Sequence, residues 1–268
     1  MILQQVQGFL DTPSLWQNSL FEVEQFIFPE ITLEGFVPKA IPQNIRLGHQ
    51  VEYIFYQLIE HSQKFNIILF NQQIKASTRT IGEIDFILEN KTNQELIHVE
   101  LTYKFYLINP KFSDPVHQLI GPNQKDSFYA KLQKIKNKQF KLLQTKEAIK
   151  LLKESAIYAN EITSKVCFKA QLFVPYTQKE LIIFPFNKRS IQGFWLRIAI
   201  LNSIEFKTNK FYLPTKQEWI LTPYEKFPWK SLTDILKEIA QHHGNQNTPM
   251  VWMRKSEFDY EKFFVVWW

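Results

Sequence analysis

Residues 82–107 read GEIDFILENKTNQELIHVELTYKFYL, and the alternation within this stretch decides the fold. Successive side chains of a strand point to opposite faces, so residues two apart share one. In Gly82–Leu88 this sets Glu83 and Asp85 on one face and Ile84, Phe86 and Leu88 on the other. In Ile97–Lys104 the polar set His98, Glu100, Thr102 and Lys104 shares a face, backed by Val99, Leu101 and Tyr103. The polar run between them suits a hairpin connection, which would bring the acid-bearing faces side by side. Two carboxylates and a backbone carbonyl are what a magnesium ion bound to phosphate oxygens commonly takes from a protein. The same pattern also describes a solvated face of an antiparallel sheet, and spacing does not separate the two readings.

Upstream, Gly48–Gln63 has Val51, Ile54, Phe55, Leu58 and Ile59 at helical spacing, with Glu52 beside the apolar stripe. Phe65–Phe70 suits a buried first strand, and Val166–Val174 supplies a fourth. A short helix is expected around Ser14–Gln25, strands in the alternating stretches Arg197–Phe206 and Phe211–Leu221, and a helix over Ser231–His242 with Ser231 as N-cap and Asp234 three residues later.

Charge is uneven along the chain. The formal net charge is +6, yet residues 125–153 hold nine lysines against only Asp126 and Glu147. Phe128, Leu132, Ile135, Gln139 and Leu142 form a helical stripe there, and Lys131, Lys134, Lys138 and Lys141 run beside it. Such a helix can pack one edge on a sheet and offer lysines to phosphates, or can simply be solvated.

Four segments in order are similar to a bacterial protein family of unknown function placed in the PD-(D/E)XK nuclease superfamily. They are Leu47–Glu52 (LGHQVE), Gly82–Asp85 (GEID), His98–Leu107 (HVELTYKFYL) and Gly121–Asp126 (GPNQKD). The opening Gly8–Leu15 resembles that family's start as well. The resemblance implies an α/β, restriction-endonuclease-like core over residues 1–180: helix, three strands, helix, strand, with a central mixed sheet flanked by helices. Residues 181–268 are then an aromatic-rich α+β lobe packed on the core, holding six of the seven tryptophans. Those rings are core or a base-stacking platform.

Carried over residue by residue, the resemblance implies catalytic roles for Glu52, Asp85, Glu100 and Lys104, with Asp85 and Glu100 holding magnesium or manganese. Lys125, Lys131, Lys134, Lys138 and Gln139 are the nucleic-acid-binding candidates, and the resemblance singles out Asp126, Lys131 and Gln139 on this helix, with Lys131 and Gln139 expected to look toward the active site. The departure is at the lysine, because the superfamily's Glu-x-Lys would place it at Thr102. At about 3.3 Å per residue, Lys104 lies roughly 13 Å from Glu100 along the strand. The expected activity is metal-dependent hydrolysis of phosphodiester bonds in DNA, or in RNA. The alternative is a catalytically inactive nucleic-acid-binding or protein-interaction module on the same fold. Many nucleases of that superfamily pair, so a homodimer is also open.

The lone Cys167 excludes an intrachain disulfide and a cysteine-cluster zinc site, and reads as a buried thiol. No run offers the roughly 18 apolar residues of a membrane span, and the opening lacks the pattern of a secretory leader, so no membrane partner and a cytoplasmic location are expected. Neither a glycine-rich phosphate loop nor a His-Glu-x-x-His motif is present.

Overall fold

The computed structural model describes residues 1–178 and 180–268. Helix α1 (Ile2–Asp11) precedes a two-strand hairpin, β1 (Ser19–Leu20) and β2 (Val23–Glu24). Helix α2 (Leu47–Ser62) leads into β3 (Phe65–Ala76), β4 (Arg79–Asn90) and β5 (Leu96–Ile108). After α3 (Pro115–Gln118) and β6 (Leu119–Ile120), a helix crosses the sheet as α4 (Phe128–Lys134), a π turn (Ile135–Gln139) and α5 (Phe140–Leu142). Helix α6 (Lys146–Glu154) and β7 (Ile162–Pro175) follow. The remainder holds β8 (Ile191–Arg197), α7 (Ile198–Leu201), β9 (Lys210–Tyr212), α8 (Leu232–Gly244), β10 (Met250–Arg254) and β11 (Tyr260–Val266).

Among the described residues one mixed sheet runs β3-β4-β5-β7-β8-β11-β10-β9, with β6 beside β5. The β3-β4-β5 meander is antiparallel, whereas β5, β7, β8 and β11 pair in parallel, so the chain must cross the sheet between them. The boundary near residue 180 falls between β7 and β8, which hydrogen-bond to each other, so the C-terminal strands extend the same sheet.

Helices cover both faces, which is why β5 and β7 are buried almost throughout, polar members such as His98, Glu100 and Gln171 included. On one side Val51, Ile54, Phe55 and Leu58 of α2 pack with Phe86, Leu88 and Val99. On the other, Phe128, Leu132 and Ile135 pack with Tyr106, Phe168 and Ala170. Each such side chain contributes roughly 1.5–3 kcal/mol on burial. The C-terminal tryptophans mostly serve this core: Trp252 and Trp219 are buried, and Trp195 packs on Trp268 with ring centroids 5.5 Å apart. Cys167 is buried too, and burial pushes its thiol up to about 11.

Several local expectations are corrected. Ser14–Gln25 is not a helix: Phe21 and Glu22 adopt φ of 54° and 62°, the left-handed pair of a two-residue hairpin turn. Tertiary pairing overrides helical spacing here, because Leu15 and Phe26 donate backbone hydrogen bonds to Phe168 and Val166, covering β7 ahead of its pairing with β8. Arg197–Phe206 is not a strand, since α7 begins directly after β8. Phe211–Leu221 is strand only as far as Tyr212. Pro214 and a turn held by the Thr215 N–H to Glu218 Oε2 bond (2.7 Å) then divert it. The Ser231 N-cap expected for α8 is present, its hydroxyl accepting from the Asp234 N–H.

Candidate active site

The site forms where β4 leaves β5. Their ladder runs only from Glu89 opposite Leu96 to Phe86 opposite Val99, and one step further its register brings Asp85 level with Glu100. There the Leu101 N–H donates to Asp85 Oδ2 (2.8 Å). A side-chain carboxylate thus takes over a donor at the point where the backbone ladder ends.

Alternation along β4 also breaks at Asp85. Phe86 and Leu88 pack with α2, but Ile84 packs with Ile87, Leu142 and Leu152 rather than with its expected face. On β3, Asn71 lies between Phe70 and Gln72, which face Phe86 and Ile84, and it carries a left-handed φ of 48°. That bend changes which side the neighbouring side chains take. Gly82, opposite Ile74, lies against Leu142: a Cβ there would stand 2.7 Å from the Leu142 methyl groups, which would have to shift.

Glu100 is buried at the centre of the sheet, with a side-chain exposure of 3%. Both of its oxygens are engaged: Lys131 Nζ donates to Oε1 (2.9 Å) and Gln139 Nε2 to Oε2 (2.8 Å). In a regular α-helix, residues eight apart are about 80° apart around the axis. The π turn between α4 and α5 absorbs about one residue of rotation and aligns Lys131 and Gln139 on one carboxylate.

Glu52 Oε2 accepts from Asn71 Nδ2 (2.9 Å) and lies 3.0 Å from His49 Nδ1. Its charge reaches both Asp85 and Glu83. The Asp85 carboxyl is pushed well above its usual range, first by desolvation and then by Glu100, against the opposing Leu101 hydrogen bond. The Glu83 carboxyl is raised by burial and then by Glu52. Flanking Glu100 on the same face, His98 is held neutral, its pKa lowered to about 4 by burial.

The structure therefore brings Glu52, Asp85 and Glu100 together, with Lys131 and Gln139 over them. Lys104 is not among them, since its ammonium pairs with Asp126 at 2.6 Å. Lys125, Lys134 and Lys138 are exposed on the surface. Sequence reasoning missed two members of the cluster. Glu83 had a signal, lying two residues before Asp85 on one strand, whereas Asn71 joins only through the β3-β4 register.

Among the described residues no group of three or more His, Cys, Asp or Glu side chains is arranged as a ready metal cage. Magnesium does not require one, since one or two carboxylates with waters and substrate phosphates suffice. Asp85 and Glu100 would supply such a pair, and a cation there would offset the Glu100 charge that, after desolvation, raises the Asp85 carboxyl. Asn71 Oδ1 and Thr102 Oγ1 are buried beside them without a hydrogen-bond partner among the described residues. The residues present fit such an ion.

Fold and site together define a mixed α/β protein with a central mixed sheet flanked by helices and an acid pair at the sheet's split. The chain belongs to the family described as a domain of unknown function, DUF1853, which matches residues 29–266. No curated protein and no solved structure matches it significantly. Among the described residues no helix is long and apolar enough to cross a membrane.

Proposed function

We propose that this chain is a divalent-metal-dependent hydrolase of phosphodiester bonds in nucleic acid, DNA in the first instance. The observation that carries the reading is the meeting of Asp85 and Glu100 where β4 departs from β5, with Asp85 held by the Leu101 N–H. An antiparallel three-strand meander followed by a crossing helix and a parallel strand is also what the resemblance to the PD-(D/E)XK superfamily implies.

Asp85 and Glu100 would hold magnesium or manganese, which when bound polarises a phosphoryl oxygen and acidifies a water. Lys131 takes the part that the resemblance gave to Lys104: its ammonium sits on Glu100 and carries further N–H donors for a phosphate oxygen. Glu83, its carboxyl raised by burial and then by the Glu52 charge, is suited once ionised to accept a proton from an attacking water.

The test is cleavage of plasmid and oligonucleotide substrates in magnesium and manganese by the unmodified chain and by Asp85→Asn and Glu100→Gln. A loss of roughly a hundredfold or more in each variant is expected. Undiminished cleavage by the double variant Asp85→Ala with Glu100→Ala sinks the reading.

One observation favours a second reading. Both Glu100 oxygens already hold protein partners, as in a module that keeps the fold without catalysis. It predicts salt-sensitive nucleic-acid binding that survives removal of the acids.

A further inference from the structure

Between Glu100 and Tyr106, β5 has no strand neighbour among the described residues on the side that β4 vacates, and β6 rejoins it at Leu107 and Ile108. Backbone groups alternate between the two edges of a strand, so the N–H groups of Tyr103 and Phe105 point the same way as that of Leu101. This open edge leads from the acid pair into a cavity of about 420 Å³ lined by Arg46, Lys104, Lys216, Tyr103, Pro122 and Trp219.

Three cations from distant parts of the chain meet in that cavity: Arg46 directly before α2, Lys104 on β5, and Lys216 in the turn after β9. Against them stands Asp126, already paired with Lys104. Arg46 and Lys216 are exposed and have no carboxylate partner within ion-pair distance among the described residues. Lys216 Nζ lies 5.9 Å from the centroid of the Trp219 ring, which holds the cation over the cavity wall. Lys104 lies about 13 Å along β5 from Glu100.

The geometry points to this cavity as a phosphate-binding subsite for the same nucleic-acid strand that the acid pair would cut, a proposal that rests on the function proposed above. The strand lies along the open edge of β5, with one phosphate at Asp85 and Glu100 and another between Arg46, Lys104 and Lys216. Cations surrounding an edge rich in backbone donors select a polyanion. An extended peptide pairing on the same edge would need apolar pockets for alternate side chains rather than three cations.

The test is fluorescence-anisotropy titration of labelled single-stranded and duplex DNA oligonucleotides with the full chain, in calcium to suppress cleavage and over a range of salt. The double variant Arg46→Ala with Lys216→Ala removes two exposed charges, and Lys207→Ala with Lys237→Ala removes two outside the cleft. Each phosphate contact adds about 0.9 to the slope of log affinity against log salt, so the cleft variant is expected to lose close to two units of slope and the control none. Equal slopes in the two variants overturn the subsite and leave the proposed hydrolase standing. An unmodified chain that binds no oligonucleotide removes both. A slope change in the cleft variant, in a chain whose cleavage ignores the acids, keeps the subsite and removes the hydrolase.

Discussion

Lys131 Nζ lies 2.9 Å from Glu100 Oε1, joining the helix that crosses the sheet to a carboxylate buried at the sheet's centre. Breaking a buried pair leaves an uncompensated charge. Lys131→Ala should therefore cost about 3 kcal/mol of stability. The Lys104–Asp126 pair is half exposed, so Lys104→Ala should cost under about 1 kcal/mol. Urea unfolding of both variants at neutral pH checks this, and equal losses would contradict it.

Asp85 and Glu83 both titrate higher in the folded chain than in the unfolded one. The folded chain thus keeps protons that the unfolded chain releases, and stability falls as pH rises from the ordinary carboxylate range through the raised values. Asp85→Asn, which can still accept from the Leu101 N–H, should be more stable than the unmodified chain at pH 8, with the difference closing in acid. Magnesium should stabilise only the unmodified chain, by about 2.7 kcal/mol at a hundredfold excess over Kd. Thermal melts with and without the metal read both effects.

His98 is fully buried, and its pKa falls from 6.5 to about 4 on folding. A base depressed in this way contributes stability that is complete above its unfolded pKa and is lost as pH falls toward the folded one. The window runs from about pH 6.5 to about 4, and the loss across it should be about 3 kcal/mol. Replacing His98 by Gln should flatten that part of the stability profile, measured as urea midpoints at successive pH values.

Lys262 is buried with no carboxylate partner among the described residues, donating to Trp219 O (3.2 Å) and Gln171 Oε1 (3.4 Å), and burial lowers its pKa to about 7. Its burial costs most below pH 7 and progressively less between pH 7 and the unfolded value of 10.5. Lys262→Met keeps the aliphatic stem and removes the amine, so it should stabilise the chain by on the order of 1–3 kcal/mol at pH 6. The gain should shrink by pH 9, and a gain independent of pH would refute the explanation.

Much of the core was legible because it is written in short-range periodicity. Val51, Ile54, Phe55 and Leu58 mark α2 at 3.6 spacing, and the alternation in Ile97–Lys104 marks β5 and sets Glu100 among its polar members. Ser14–Gln25 was not legible, because its apolar spacing imitates a helix while its backbone pairs with β7, more than a hundred residues away. Arg197–Phe206 failed similarly: alternating hydrophobicity over a few residues does not distinguish a strand from a strand that ends in a helical turn.

By itself the sequence determined which residue types recur on which face of each element, and so it named Asp85 and Glu100 as neighbours at the end of a hairpin. The resemblance, and no periodicity, pointed Lys131 and Gln139 toward the site, and the tertiary structure decided that Lys131 rather than Lys104 meets Glu100. Lys104 follows Glu100 on its own strand yet turns to Asp126, while Lys131 comes from a helix 31 positions away and is aligned with Gln139 by a π turn. Local pattern sets direction within an element, whereas the nearest charge depends on how elements pack. That packing is set by contacts such as Ile84 and Ile87 with Leu142 and Leu152, which no periodicity in either segment encodes.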